Sequence, residues 1–231
     1  MSEGNKQKRV VVAIDGPAGA GKSTIAKRLA ARLGFTYIDT GAMYRAVALW
    51  ALRQNVDPSD RHRMEQLALA SDIELAPGRI ILNGEDVTEA IRTHEVSSAA
   101  SKCAVIPGVR RAMVDKQRAI GERTSVVMEG RDIGTVVFPD AQVKVYLDAN
   151  PDERVRRRLE ESRAKGESVT AAQLASQMKE RDQRDSTRSD APLAQAPDAI
   201  YLDSTPLGID EVEEAILKLV RLRVTNGKDF S

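Results

Sequence analysis

Residues 16–24 of this 231-residue chain read GPAGAGKST, placing Gly16, Gly21, Lys22 and Ser23 at the fixed positions of G-x-x-x-x-G-K-[ST]. The chemistry such a loop can do follows from its residue types. Glycines let the backbone curl until successive N–H groups point inward as an anion nest. A helix starting where the loop ends adds its positive terminus to the same place. The expected contacts to a phosphate-bearing ligand therefore run through Gly16, Pro17, Ala18, Gly19, Ala20, Gly21, Lys22, Ser23 and Thr24. Lys22 is placed to reach the β- and γ-phosphates and the Ser23 hydroxyl to ligate Mg²⁺; Thr24 is expected near the α-phosphate.

Three other groups of charged residues have types suited to a ligand. Glu129-Gly130-Arg131-Asp132 follows an apolar run, and offers a cation for phosphate and an acceptor for ligand hydroxyls or amines. Its alternative is a structural arginine–aspartate pair. Arg181, Arg184, Asp185 and Arg188 lie three and four apart and share one helical face; they suit a ligand bearing phosphate and ribose hydroxyls, or a solvated face. The third group follows Asn150-Pro151-Asp152-Glu153, which reads as a helix start with Asn150 as N-cap and Glu153 closing a capping box. Arg154, Arg156, Arg157 and Arg158 come next, with Arg163 and Lys165 beyond. Pairs Glu153–Arg157 and Arg157–Glu161 would make this a solvated face; the other reading is a flap closing arginines over transferring phosphates. His62 and His94 have no partner pattern and are expected at the surface or at caps. Cys103 is expected semi-buried, and Trp50 joins Met43 and Val47 in the core.

Positioning these groups requires strands that end beside the loop. Residues 10–14, 35–39, 125–128, 143–147 and 199–202 read as five short strands. Helical patterns between them imply a mostly parallel sheet with helices on both faces. Ligands in such sheets bind outside the carboxyl ends of the strands. Thr40-Gly41 reads as a turn before a helix carrying Tyr44 and Arg45, Met64 begins a short helix, and another runs from Gly108 to about Gly121. Between residues 72 and 86 the pattern changes to two short apolar runs around Pro77-Gly78, followed by Asn83-Gly84, a hairpin signal. The expected division is a core of 9–62 and 103–224 with a lid near 154–168, an insertion at 63–102, and flexible tails at 1–8 and 225–231.

Composition narrows the classes. A net charge of +1 and only 3% aromatic residues oppose a nucleic-acid module. One cysteine excludes an intrachain disulfide, and no Cys/His cluster has zinc spacing. The polar N-terminus lacks a secretory h-region and no apolar run is long enough to span a membrane. A cytoplasmic monomer is the expectation.

The segments GPAGAGKST, DTGAMYR at 39–45, LNGEDVTEAIR at 82–92, MEGRDIGTVVFPDA at 128–141 and ERDQRDSTR at 180–188 together resemble the bacterial cytidylate kinases. The similarity runs in order from about residue 10 to 222. It implies an α/β P-loop kinase fold: a central five-stranded parallel sheet, a small inserted nucleoside-monophosphate-binding subdomain and a helical lid. It also implies transfer from ATP to CMP or dCMP with Mg²⁺. By the same resemblance Thr40, Arg45, Ser101, Arg110, Arg131, Asp132, Arg181, Asp185 and Arg188 line the CMP site. Arg45, Arg110 and Arg131 would hold the phosphate, Ser101, Asp132 and Arg188 read cytosine, and Arg181 with Asp185 hold the ribose. Lys22, Arg131 and Arg188 would be the catalytic set, and Arg154, Arg157 and Arg158 lid arginines. Thr40 stands where some members have serine, and Ser23 where some have glycine; neither removes a required group. The rivals are a kinase of this fold acting on UMP, shikimate or a nucleoside, and a GTP switch, which would need an [NT]-K-x-D segment that the chain lacks.

Overall fold

The computed structural model describes residues 9–164 and 166–225. The expected tails lie outside the described residues except for Thr225, as does Lys165. In chain order the elements are β1 (Val11–Asp15), α1 (Lys22–Leu33), β2 (Thr36–Asp39), α2 (Thr40–Arg53), α3 (Arg61–Ala70), β3 (Ile73–Ala76), β4 (Arg79–Leu82), β5 (Glu85–Asp86), α4 (His94–Cys103) and α5 (Pro107–Gly121). They continue with β6 (Val126–Gly130), β7 (Val143–Asp148), α6 (Pro151–Ala164), α7 (Ala171–Thr187), β8 (Ile200–Asp203) and α8 (Ile209–Thr225).

An unbroken apolar run such as Val11-Val12-Ala13-Ile14 fits a strand covered on both faces, and every residue of β1 is buried. It lies at the centre of a five-stranded sheet ordered β2-β6-β1-β7-β8, with all pairs parallel. Alternate residues feed two core layers. Val10, Val12 and Ile14 pack with Ile25 and Leu29 of α1 and with Val212, Ile216 and Val220 of α8. Val11 and Ala13 pack on the other face with Val114 of α5 and with Ile133 and Val137. The chain runs from β1 out to β2, back to β6, then across β1 to β7 and β8. That reversal opens a crevice at the carboxyl end of β1.

A separate antiparallel sheet, β3-β4-β5, forms where the hairpin signal lies. Asn83 and Gly84 both take positive φ, 50° and 82°, as a two-residue primed turn between β4 and β5 requires. The insertion does not have a core of its own. Leu82, Val87, Val96 and Cys103 share one cluster with Met43 and Val47 of α2, Met64 of α3 and Met113 of α5. The limits 63 and 102 fall inside α3 and one residue before the end of α4.

Several local expectations change. Thr40-Gly41 is not a turn: Asp39 accepts the Ala42 N–H at 2.9 Å and caps α2 directly at the strand end. Helix α4 was not anticipated, although Val96, Ala99, Ala100 and Cys103 have helical spacing and Thr93 caps it through the Val96 N–H at 3.2 Å. Asn150 does accept the Asp152 N–H at 2.9 Å, but Glu153 closes no capping box. Arg156 and Arg157, at 2.7 and 2.9 Å, take its carboxylate instead. Glu161 pairs with Arg158 at 2.8 Å rather than with Arg157. Trp50 is half-buried at the edge of its cluster, and Cys103 is fully buried, its thiol pushed up to about 12 by burial.

Gly16 turns the chain out of β1 at φ +147°, and a Cβ there would lie 2.0 Å from the Leu147 carbonyl oxygen. Gly16→Ala is expected to destabilise the protein by roughly 2 kcal/mol or more and to abolish nucleotide binding. Urea unfolding and an ATP-analogue titration check this, and wild-type values in both would contradict the packing described.

Candidate active site

The loop between β1 and α1 has the shape its glycines allow. Gly16, Gly19 and Gly21 all take positive φ, and α1 begins at Lys22. Lys22 is buried, and its Nζ curls back to donate to the Pro17 carbonyl at 2.5 Å. Burial first, then the charges of Arg131 and Arg181, lower its amine to about 7; Glu129 and Asp15 oppose this. Ser23 donates to Glu129 Oε2 at 2.9 Å, and Tyr37 donates to the other oxygen of that carboxylate. Glu129 is itself raised, chiefly by burial and next by Asp39. Asp15 accepts the Ile133 and Gly134 N–H groups at 2.8 and 2.7 Å, tying β1 to the turn after Asp132. Burial outweighs those two bonds and raises its carboxyl to about 6. Thr24 lies exposed beside Ser23.

Residues from α5, from α7 and its C-cap, and from the end of β6 converge on a second cluster of charges. Arg110 of α5 donates to Asp132 Oδ2, with side chains only 3% and 9% exposed. Arg188 reaches Asp132 Oδ1 at 3.6 Å and Asp185 Oδ1 at 3.5 Å. Arg131 donates to Asp185 Oδ2 at 3.1 Å. Thr40 donates to the Glu129 carbonyl at 2.7 Å, and Arg45 pairs with Asp39 at 2.9 Å. Arg181 has no hydrogen-bond partner among the described residues; burial and the nearby charge of Arg131 lower it to about 10. Buried polar atoms normally have partners, yet Ser101 Oγ, Arg110 Nε and Arg188 Nη2 have none. Arg110 and Arg188 are the two guanidinium groups that meet Asp132, and Ser101 is buried on α4.

The arginines of α6 separate into two kinds. Arg154 donates to the Ala18 carbonyl at 3.0 Å, and Arg157 reaches the Ala20 carbonyl at 3.4 Å and the Ser204 carbonyl at 2.7 Å. Both therefore lie against the phosphate loop. Arg158 points away, paired with Glu161 in solvent. On α7, Arg184 also leaves the shared face and donates to the Glu180 carbonyl.

Of the residues expected to line the second pocket, Thr40, Arg45, Arg110, Arg131, Asp132, Asp185 and Arg188 have the partners given above, Arg181 lies close enough to Arg131 to feel its charge, and Ser101 is buried on α4. Arg110 pairs with Asp132, which Arg188 also approaches, while Arg45 pairs with Asp39 and Arg131 with Asp185. Arg131 and Arg181 are arginines whose charges lower Lys22. Asp15, Tyr37 and Asp182 lie in the same cluster and were not singled out by sequence, and Glu129, legible only as part of the Glu129–Asp132 group, proves to face Ser23 and Lys22. Glu129 and Asp15 could have been found as carboxylates at the ends of adjacent central strands.

A phosphate loop at the reversal point of a parallel sheet, faced by a second pocket of arginines, defines a P-loop nucleotide kinase. Residues 12–222 match the family model described as cytidylate kinase. The chain is 78% identical over 228 residues to a cytidylate kinase of Solibacter usitatus, which spans 98% of both chains. It is 51% identical over 212 residues to one of Caldanaerobacter subterraneus, over 92% of this chain and 95% of that one. A crystal structure of an uncharacterized protein from Eubacterium ventriosum shares the fold at TM-score 0.55 and 13% identity, over 93% of this chain and all of that one. This chain belongs to the cytidylate kinase family, and it is a phosphotransferase acting on nucleotides.

Asp132 is the counter-charge for two buried guanidinium groups. Removing one partner of such a pair leaves the other charged and desolvated, so Asp132→Ala is expected to lower the unfolding free energy by about 3 kcal/mol. A urea midpoint equivalent to a loss below about 0.5 kcal/mol, as for a surface pair, would contradict this.

Proposed function

We propose that the protein transfers the γ-phosphoryl group of ATP to CMP or dCMP, giving ADP and CDP or dCDP. The observation that carries the acceptor side is that the two arginines meeting Asp132 keep unpartnered buried atoms, Arg110 Nε and Arg188 Nη2. Cytosine presents an amine donor at N4 beside ring acceptors at N3 and O2. Asp132 and the Ser101 hydroxyl can accept from the amine, while Arg188 and Arg110 can donate to the ring. Uracil would turn a carbonyl toward the carboxylate and leave the acceptors unmet, and such a mismatch of buried polar groups is strongly penalised. Asp185 serves the ribose.

The phosphate of the acceptor is assigned to Arg45, Arg131 and Arg181, which act electrostatically on one another and, through Arg131 and Arg181, on Lys22. The attacking oxygen belongs to an ionised phosphate, so no general base is needed. Lys22, Arg131 and Arg181 stabilise the charge on the migrating phosphoryl group, the largest catalytic contribution expected of such a site. Arg154 and Arg157 hold the loop crest from α6, and closure of the segment near 154–168 would exclude water from the transfer. Residues 63–102 form the acceptor-side unit that supplies Ser101.

Among the described residues no group of three or more acidic, histidine or cysteine side chains forms a metal cage. The hard oxygens of Ser23 and Glu129, 2.9 Å apart, instead suit an ion that arrives with nucleotide phosphates and keeps most of its water. Bound there, Mg²⁺ would be held by Ser23 with Glu129 behind it and would supply charge neutralisation across the β- and γ-phosphates. We infer a cytoplasmic monomer; among the described residues no helix is long and apolar enough to cross a membrane.

A coupled ADP-release assay with CMP, dCMP, UMP, AMP and no acceptor tests this reading. Turnover is expected with CMP and dCMP, at least about 100-fold less kcat/KM with UMP, and none without acceptor. Equal turnover with UMP would remove the assignment of Ser101, Asp132 and Arg188 to the base. Lys22→Ala is expected to lower kcat by about 10³-fold with folding intact; retained turnover would overturn the role of the loop.

A further inference from the structure

Helix α7 carries one group that the acceptor pocket does not use. Asp182 lies between Arg181 and Asp185 in sequence but turns toward the phosphate loop. Its Oδ1 accepts the Ala18 N–H at 3.1 Å, and its Oδ2 accepts from Arg154 Nη1. Arg154 Nη1 also donates to the Ala18 carbonyl at 3.0 Å, and its Nε to the Ala149 carbonyl at 3.1 Å. Both polar groups of residue 18 are therefore gripped, the N–H from α7 and the carbonyl from α6, by two side chains that pair with each other. The pair is largely shielded, with Asp182 19% and Arg154 12% exposed. One turn earlier on α7, Met178 packs over the same crest: a Cβ at Gly19 would fall 2.7 Å from Met178 Cε and 3.1 Å from the Arg154 carbonyl oxygen.

We propose that Asp182 is a positioning residue that fixes the crest of the phosphate loop, aims Arg154 at the donor phosphates, and so sets donor and acceptor in register through α7. The proposal deepens the functional reading above and rests on it. One helix presents Asp182 and Met178 to the donor loop and Arg181, Asp185 and Arg188 to the acceptor pocket. In-line transfer needs the two substrates placed to within a fraction of an ångström. A rigid connection between their binding surfaces meets that need, and Asp182 is the polar part of it. Without its carboxylate Arg154 loses its one close ion pair among the described residues, since Asp148 stands 4.0 Å away, and the Ala18 N–H loses its acceptor.

The test compares Asp182→Asn, Arg154→Ala and the double variant with wild type. Asp182→Asn is expected to lower kcat about 10- to 100-fold and to raise KM for ATP, while CMP affinity measured by calorimetry stays within about twofold. A parallel loss of CMP affinity would mean that Asp182 merely supports α7, and would overturn the proposal. If Asp182 acts through Arg154, the double variant falls no more than about twofold below Arg154→Ala; losses that multiply would overturn it. Binding of a non-hydrolysable ATP analogue without acceptor separates this proposal from the functional reading. Asp182→Asn should weaken it about tenfold whatever the acceptor proves to be, and unchanged binding refutes the role of Asp182.

Discussion

Positive charge concentrated at the carboxyl edge of the central sheet is the constraint on which this structure depends. Lys22, Arg45, Arg131, Arg181, Arg110 and Arg188 gather there, Lys22 and Arg110 buried and the others largely shielded. Guanidinium groups remain charged under almost any condition, so the repulsion appears where it can. Burial first, and that repulsion with it, lowers Lys22 to about 7 and Arg181 to about 10. Such a site is unfavourable without its ligands and becomes favourable when phosphate oxygens arrive, as a machine for moving a phosphoryl group between two anions requires.

The fold holds that charge by distributing carboxylates among the cations. Asp132 separates Arg110 from Arg188, Asp185 separates Arg131 from Arg188, and Glu129 lies beside Lys22 and Ser23. Each carboxylate is fixed by the backbone that bears it. Glu129 belongs to the strand paired with β1, in register with Ile14. Asp132 follows two residues after that strand ends, and Asp15 pins the turn beyond it through two backbone N–H groups. Two apolar layers back this edge, and α7 reaches both the phosphate loop through Asp182 and the arginine cluster through Asp185.

What the sequence revealed and what it concealed divide along physical lines. The phosphate loop was legible because its chemistry is local: Gly16, Gly21, Lys22 and Ser23 form the nest within one turn of chain. The strands around it were legible because burial on both faces demands unbroken apolar runs such as residues 10–14. Helix α4 could have been read from Val96, Ala99, Ala100 and Cys103, but small residues give a weak apolar signal. The Arg110–Asp132 pair joins residues 22 apart, and the Asp182–Ala18 bond joins residues 164 apart. No periodicity reports such contacts. The pairing of Arg110 with Asp132, and the contacts of Asp182 with Ala18 and Arg154, follow only from the way α5, α6 and α7 pack.

The titration of Lys22, followed by NMR on lysine labelled at Cε, tests this account most directly. Burial and the arginines should hold the amine near 7 in the free protein, so it loses its proton as pH rises through neutrality. Nucleotide phosphates favour the ammonium form, and with an ATP analogue bound the amine should remain charged to above about pH 9, with a proton taken up on binding near pH 8. A free amine titrating at its ordinary value near 10.5 would contradict the claim that the cations at this edge are held in tension for phosphate to relieve.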